Sequence, residues 1–589
     1  MALKNQKRCY DYIGDVSYDG AITRTLFCPD YILPSDVAML NLDIFTHNID
    51  RVLSNCKEAT IATGLCRRID GKAKVVKKLE LLDLITLIKK VGKIQLLADV
   101  RRLIGYRSDL ALSSWLLCAL LNPEWHRISL FLEKTELWRW DDECAIKLCK
   151  ASHNTVRKYN QWVGNELVTR QSTAKLEYLQ DLFAKDDFII DFEDALKKRI
   201  VDLPIFRPDI WFDIDRDQFI STALDELLSM ASLPKTELMT AFGDRVSQWT
   251  ASGSSVHTKE KIDFNGKEWK LQGTKNLWSL HVDGNWFKKV ISGKPNRICS
   301  VSKKYENGKN RELDNDCETV YAIQSYVLDG YEDNIGGQLG LLFKSGGVSG
   351  ARLKTKISGL ITGKWVWSFD FADFQLNHKV SDIGLLLSRV AKKKADWAGC
   401  VEVSNDYLTA GEWLVEAEND TILHDSESGW TVRNQNGLIT GSRSTAFVNT
   451  IFNKLYYLMA LKLAKRWVPS LNVTGSYHMG DDIMSITNSL LGGVALSEAM
   501  SALGLTGQGL KLMLKEGEGE LLRYLYDDDL CYGYLNRSIP NVVCGEWDLG
   551  GKDDPIGIAR AIPAIIGKLV ERGGHLLFAK ELEFMLLRQ

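Results

Sequence analysis

Apolar positions return every three or four residues through much of the first 240 residues. Leu and Ile recur at that spacing over residues 78–104, which puts them on one face of a helix. Residues 154–198 alternate charged faces with Leu, Trp and Phe. A further apolar segment, residues 113–121, stops at Asn122-Pro123, where the restriction before proline ends a helix. The pattern predicts a largely helical N-terminal region, 1–240, without repeats or catalytic spacing, whose expected role is scaffold or partner surface. After Gly346-Gly347 and Gly350, read as a flexible join, the pattern changes. Residues 365–369 form an apolar run that ends in Asp370, a strand delivering a carboxylate at its exit. Residues 445–467 are apolar at helical period; Lys465 and Arg466 in the last turn and Pro469 beyond are stop signals. Residues 476–479 and 483–486 read as two arms of a β-hairpin whose tip is Gly480-Asp481-Asp482. Glycine supplies the turn's backbone freedom, so the two carboxylates are held together at the tip.

Composition bounds the class without naming the chemistry. The 589 residues are 45% apolar and 25% charged, as in folded proteins. With 74 basic against 76 acidic residues, any binding of nucleic acid has to come from local basic surfaces. Twelve cysteines without a CxxC pair read as reduced thiols rather than a zinc site. The start, MALKNQKRCYDY, has no signal-peptide core, and the longest apolar run, 111–121, is too short to cross a bilayer, so no membrane segment is expected.

Candidate chemistry gathers after residue 240. Basic residues cluster at Lys259, Lys261, Lys267 and Lys270, then at Lys294 and Arg297. Lys303, Lys304, Lys309 and Arg311 flank the Asn307-Gly308 turn, which predicts a basic hairpin. Such a hairpin can clamp a triphosphate by neutralising charge on the leaving pyrophosphate; the alternative is a solvated loop. Asp370 set against the Gly480-Asp481-Asp482 tip would make an all-oxygen Mg²⁺ cage from two elements. Thr445 and Asn449, four apart, share one face of a helix, where capping and packing are the alternative reading.

In order and spacing these segments resemble viral RNA-dependent RNA polymerases, most closely those of totiviruses and related double-stranded RNA viruses. Asp370, Asp373 and Phe374 match the family's D-x-x-D-F-N, with Gln375 at the Asn. Gly441, Thr445 and Asn449 match S-G-x-x-x-T-x-x-x-N, with Thr440 at the Ser; Gly480, Asp481 and Asp482 form the GDD. Glu520 and Arg523 resemble E-F-L-R, Tyr534 and Arg537 Y-L-x-R, and Gly545-Glu546-Trp547 G-N-W. Gly308, Lys309 and Arg311 resemble G-K-x-R, and Trp249 with Gly253-Ser254 the W-x-x-x-G-S before it.

The resemblance implies an α+β fold of the right-hand polymerase type. Expected segments are an N-terminal helical region (1–240, partner-binding and contributing to fingers), fingers with the basic hairpin (241–364), palm (365–392), a fingers insertion (393–436), palm (437–530), and palm edge with a small thumb (531–589). It implies RNA-directed RNA synthesis on two Mg²⁺ ions, with Mn²⁺ as a substitute, held by Asp370 and Asp481 with Asp482 in support. Lys511 or Lys515 would protonate the pyrophosphate. Lys303, Lys304, Lys309 and Arg311 would line the nucleotide path, and Asp373, Gln375, Thr445 and Asn449 would contact the nucleotide, with Thr440, Gly441 and Ser442 on the template. Implied partners are RNA template and product, ribonucleoside triphosphates and a viral capsid protein, in a virion interior or host cytoplasm. Two alternatives remain at this level, a reverse transcriptase-like polymerase and a non-catalytic virion protein with a decayed palm. Met479-Gly480 and Asn449 favour RNA synthesis, and the intact Asp370, Asp481 and Asp482 favour an enzyme.

Overall fold

Two hydrophobic cores organise the chain, and each joins segments far apart in sequence. The structure is a computed structural model that describes residues 79–162, 174–185, 192–200, 215–229, 242, 261–264, 267–270, 275–279, 282–331, 335, 340–342, 347–426, 428–505, 507, 512–527, 531–544 and 555–588. Among the described residues helices dominate, with four small sheets among them.

The first core begins with helices Leu81–Lys90, Gln95–Ile104, Asp109–Leu121 and Trp125–Lys134. The expected 78–104 pattern is thus two helices, broken at Gly92, which takes φ +70°. Asp109–Leu121 is apolar on every side and buried from Leu110 to Leu121, as such a helix must be. Of the 154–198 pattern, the described residues form the end of helix Asp142–Trp162, a 3₁₀ turn Leu179–Phe183 and helix Phe192–Lys197. What closes this core is the far end of the chain. Leu535, Ile539, Val542, Ile566, Leu569 and Leu582, from helices Leu535–Cys544, Pro555–Glu571 and Leu576–Leu586, pack among Leu84, Leu103, Trp115 and Leu148. Periodicity reports that a face is buried but not against what, so the N-terminal region reads as an addition in sequence and is half of a core in space.

The strands, in chain order, are β1 (Lys261–Phe264), β2 (Lys267–Lys270), β3 (Ile298–Glu306), β4 (Lys309–Asn315), β5 (Trp365–Asp370), β6 (Ile422–His424), β7 (Thr431–Arg433), β8 (Val473–Met479), β9 (Asp482–Thr487), β10 (Met513–Glu516), β11 (Gly519–Leu521), β12 (Tyr524–Tyr526) and β13 (Cys531–Gly533). The sheet that matters most runs β10-β5-β9-β8, antiparallel throughout. Side chains alternate across a strand. Trp367 and Phe369 therefore enter the second core with Phe452 and Tyr457 of helix Thr445–Trp467, whose bounds match the expectation. Val366 faces the other way, with Met484, Ile486, Leu521 and Tyr526. By the same period Asp370 shares the Val366 face, toward the β11–β12 hairpin.

Two expectations change here. Gly347 and Gly350 are no flexible join; they open helix Gly347–Ile361, whose Ile357 and Ile361 pack under the sheet. That burial outweighs the roughly 1 kcal/mol helix penalty of each glycine. The expected boundary at 392 falls inside helix Val380–Trp397, which packs on Val401–Asn419 so closely that a Cβ on Gly411 would stand 2.7 Å from Ala391. The segment after those helices supplies β6 and β7 to the sheet of the β3–β4 hairpin. Among the described residues no helix is long and apolar enough to cross a membrane, and most of the described cysteines are buried.

Candidate active site

Gly480 and Asp481 form a two-residue loop between Met479 and Asp482, which pair across β8 and β9. Gly480 takes φ +58°, and a positive φ at the first loop position is the type II′ geometry that suits the twist of a hairpin. The turn is braced from the Thr445–Trp467 helix. Thr450 Oγ1 accepts from Gly480 N at 3.0 Å, and Asn453 Nδ2 donates to the carbonyls of Gly480 (2.8 Å) and Asp482 (3.1 Å). Behind Asn453 stand His478 Nδ1, 2.7 Å from its Oδ1, and Lys454 Nζ, 3.4 Å from His478 Nε2 and 2.8 Å from Ser476 Oγ. Burial drives His478 well below the usual histidine pKa and brings Lys454 down to about 8. A neutral imidazole facing a lysine accepts at Nε2, so Nδ1–H donates to Asn453 and turns its amide toward the turn. This brace is absent from the sequence reading; its only signal was polar Thr450, Asn453 and Lys454 in the mostly apolar middle of the helix. Asn453→Ala is expected to lower stability by about 1–3 kcal/mol, because two carbonyls of the turn lose their donor. An unchanged thermal unfolding midpoint would refute the brace.

β5 sets Asp370 directly opposite Asp482. Asp370 is buried, Asp482 half-buried and Asp481 exposed at the tip. Arg523 Nη2 donates to Asp370 Oδ2 at 2.8 Å, and Arg523 Nη1 lies 3.7 Å from Glu520 Oε1. Glu520 Oε2 accepts from Arg157 Nη2 (2.7 Å) and Tyr534 Oη (2.6 Å); Arg157 also reaches Glu177 Oε2 at 3.5 Å and Tyr178 Oη at 3.3 Å. A charge network thus runs from Asp370 into the N-terminal helix Asp142–Trp162. Burial raises the Asp482 carboxyl to about 7, opposed by Arg523 and reinforced by Asp481 and Asp370. Against the raising effect of burial, Arg157 and Arg523 hold Glu520 at about 2. Asp370, Asp481 and Asp482 are hard oxygen donors in a locus with excess negative charge, a donor set that fits Mg²⁺ or Mn²⁺. Among the described residues no three acidic, imidazole or thiol side chains already stand together as a closed metal site.

The basic hairpin forms as β3–β4, with Glu306 opposite Lys309 across the Asn307-Gly308 turn. Strand period divides its cations. Lys304, Lys309 and Arg311 share the face of Glu306, at 3.6, 3.7 and 3.1 Å from its carboxylate, whereas Lys303 pairs with Glu312 on the opposite face. Three of the four cations therefore share one surface and Lys303 does not. The tip docks onto the N-terminal region, where Gly308 N donates to Ala184 O and a Cβ at Gly308 would meet Gln180 O at 2.4 Å. At the base, Asp314 accepts from Arg199 Nη2 (2.6 Å) and from Thr440 N (3.2 Å), and its own amide donates to Thr440 Oγ1 (2.9 Å). Gly441 N donates to Asp314 O, and a Cβ there would stand 2.2 Å from that oxygen, so only glycine fits. Arg199 also donates to Leu438 O at 3.0 Å. Fully buried, it bolts the hairpin to the 437–445 loop from a region in which sequence reasoning found no site. Arg297, read as part of the basic cluster, is buried between Asp316 and Glu418.

The remaining candidates fall into place unevenly. Ser442 Oγ donates to Gln324 Oε1 at 2.7 Å, and Thr445 Oγ1 donates to Ser442 O at 2.7 Å and to Ile439 O at 2.9 Å, a bond back to the preceding loop rather than a helix cap. Asn449 Oδ1 is 2.9 Å from His378 Nε2, a partner not anticipated. Asp373 is exposed with φ +48°, an uncommon conformation for a non-glycine residue, and Gln375 gives its backbone carbonyl to Leu438 N. Lys515 lies opposite Val366, four residues from Asp370 and so roughly 13 Å along β5, and bonds Glu518 at 2.8 Å. Lys511, Trp249, Gly253, Ser254, Gly545, Glu546 and Trp547 lie outside the described residues, as does Lys259.

A family model described as viral RNA-directed RNA-polymerase matches residues 100–547, starting well upstream of the first sequence motif at Trp249. The RNA-directed RNA polymerase of Penicillium chrysogenum virus is 23% identical over 449 residues, 70% of this chain and 38% of its own. The protein named "Probable RNA-directed RNA polymerase" of Saccharomyces cerevisiae virus L-A is 23% identical over 358 residues, 60% of this chain and 23% of its own. The chain thus spans well under half the length of these curated relatives. Among solved structures, the RNA-dependent RNA polymerase of a human picobirnavirus aligns with 67% of this chain and 72% of its own, at 16% identity and a TM-score of 0.39.

Proposed function

Because this chain belongs to the family of viral RNA-directed RNA polymerases, we propose that it is the nucleotidyl-transfer unit of a polymerase that replicates and transcribes a double-stranded RNA genome. The observation that carries this reading is the pairing of Asp370 with Asp482 across adjacent strands beside exposed Asp481. On a right-hand plan the β10-β5-β9-β8 sheet and the Thr445–Trp467 helix are palm, the β3–β4 hairpin is fingers, and 531–589 is palm edge and small thumb. Two divalent cations, Mg²⁺ or Mn²⁺, held by Asp370 and Asp481 with Asp482 in support, would acidify the attacking 3′-hydroxyl and offset charge on the leaving pyrophosphate. Lys304, Lys309 and Arg311 steer the triphosphate by charge. The Thr440–Ser442 loop, fixed through Asp314 and Gln324, would lie along the template strand. Exposed Leu82, Ile94, Leu130 and Trp138 on the N-terminal helices suit a protein partner, for which a capsid protein is proposed. Incorporation of labelled ribonucleotides by purified protein with Mg²⁺, on RNA and on DNA templates, tests the reading; no incorporation on RNA by a folded protein overturns it.

Sugar choice follows from the same geometry. Burial brings His378 down to about 4, so it is neutral, and its Nε2–H donates to Asn449 Oδ1. Asn449 then offers its amide hydrogens, and a ribose 2′-hydroxyl accepts one where a deoxyribose leaves it unpaired. Such a loss is on the order of 1–3 kcal/mol, so Asn449→Ala is expected to narrow ribonucleotide preference by about ten- to a hundredfold. Gln375→Asn should change it less. The ratio of kcat/KM for matched ribo- and deoxyribonucleotides on one RNA template checks this; an unchanged ratio in Asn449→Ala places sugar reading elsewhere.

A further inference from the structure

Arg523 reaches Asp370 through a backbone that resists the placement. Leu522 and Arg523, in the tight turn between β11 and β12, both take positive φ, +55° and +62°, without being glycine. Two consecutive left-handed side-chain-bearing residues are strained, and such strain persists only where the surroundings over-determine it. Here they do. Glu520 N donates to Ser368 Oγ at 2.9 Å, two residues before Asp370 on β5, and Glu520 is itself held by Arg157 and Tyr534. The hairpin is thus fixed to the strand that carries Asp370, and its turn aims one guanidinium at Asp370 Oδ2.

We propose that Arg523 is a positioning residue that fixes the Asp370 carboxylate and serves as the built-in counter-ion of the carboxylate cluster, setting how tightly it binds divalent cations. The proposal rests on the polymerase reading of the same site. A guanidinium on Oδ2 fixes the rotation of the carboxylate and so the direction of its other oxygen. Its charge also opposes that of an incoming cation, which loosens cation binding while keeping the cluster compact without one. Fixing and loosening act on different measurements, and this separates the proposal from a simple structural role.

The test is Mn²⁺ binding to the full chain, followed by electron paramagnetic resonance, beside thermal unfolding and nucleotide incorporation. Arg523→Gln is expected to bind Mn²⁺ about tenfold more tightly, because a like charge is removed, and to turn over about tenfold or more slowly at saturating metal. Arg523→Lys, which keeps the charge without the planar fork, should bind Mn²⁺ as the wild type does and still turn over slowly. A merely structural arginine would lower unfolding temperature and Mn²⁺ affinity together, and that result overturns the proposal. So does unchanged Mn²⁺ affinity in Arg523→Gln, or in Arg523→Lys a turnover equal to wild type. If the wild type itself binds no Mn²⁺ and incorporates nothing, the polymerase reading fails, which is a distinct outcome.

Discussion

Asp481→Asn is expected to abolish nucleotide incorporation and leave the fold as it is. Asp481 is exposed, sits in the second position of a two-residue turn and has no place in either core, so an isosteric amide alters no packing. Asn is at home in such turns. The loss is chemical, since a carboxylate supplies both charge and alignment to a divalent cation. Removing one ligand of this kind is expected to cost several kcal/mol in the barrier, about a thousandfold or more in rate. Incorporation measured in Mg²⁺ beside thermal unfolding gives the answer. A folded Asp481→Asn protein working near the wild-type rate removes Asp481 from the metal site and leaves the Asp370–Asp482 pair as the candidate ligands.

A chain beginning at residue 241 is expected to yield no folded protein. Its removal of the N-terminal helices exposes Leu535, Ile539, Val542, Ile566, Leu569 and Leu582, all buried in the core those helices complete. At about 1.5–3 kcal/mol for each large apolar side chain, the loss reaches the 5–15 kcal/mol that a typical domain has in total. Glu520 would also lose Arg157, and breaking a buried pair from one side costs about 3–5 kcal/mol more. The expected product aggregates or shows no cooperative unfolding by circular dichroism. A truncated chain that unfolds cooperatively and incorporates nucleotides would show that the N-terminal region is dispensable after all. The single variant Arg157→Ala isolates the charge contribution, with an expected loss of about 3–5 kcal/mol.

By itself the sequence determined those features whose causes are local. The β8–β9 hairpin, strand Trp365–Asp370 and helix Thr445–Trp467 all lie where periodicity, the turn glycine and the stop signals put them. The basic hairpin turns at Asn307-Gly308 for the same reason. Each of these is decided within about twenty residues of chain, by side-chain period and by which backbone angles a residue tolerates. Tertiary structure decided what faces what. That Asp370 stands opposite Asp482, that Lys303 leaves the face of Lys304 and Arg311, and that Gly347 begins a helix depend on register and burial between distant segments. Arg157 and Arg199 were ordinary charges in the sequence, and Arg523 was a motif residue whose partner the motif did not show, yet they hold Glu520, Asp314 and Asp370, in one case across more than 350 residues. A buried ion pair leaves no period in either of its segments, because its partner is chosen by how two cores close on each other. For that reason the motif residues could be read from the chain, while the groups that aim them could be seen only in the folded protein.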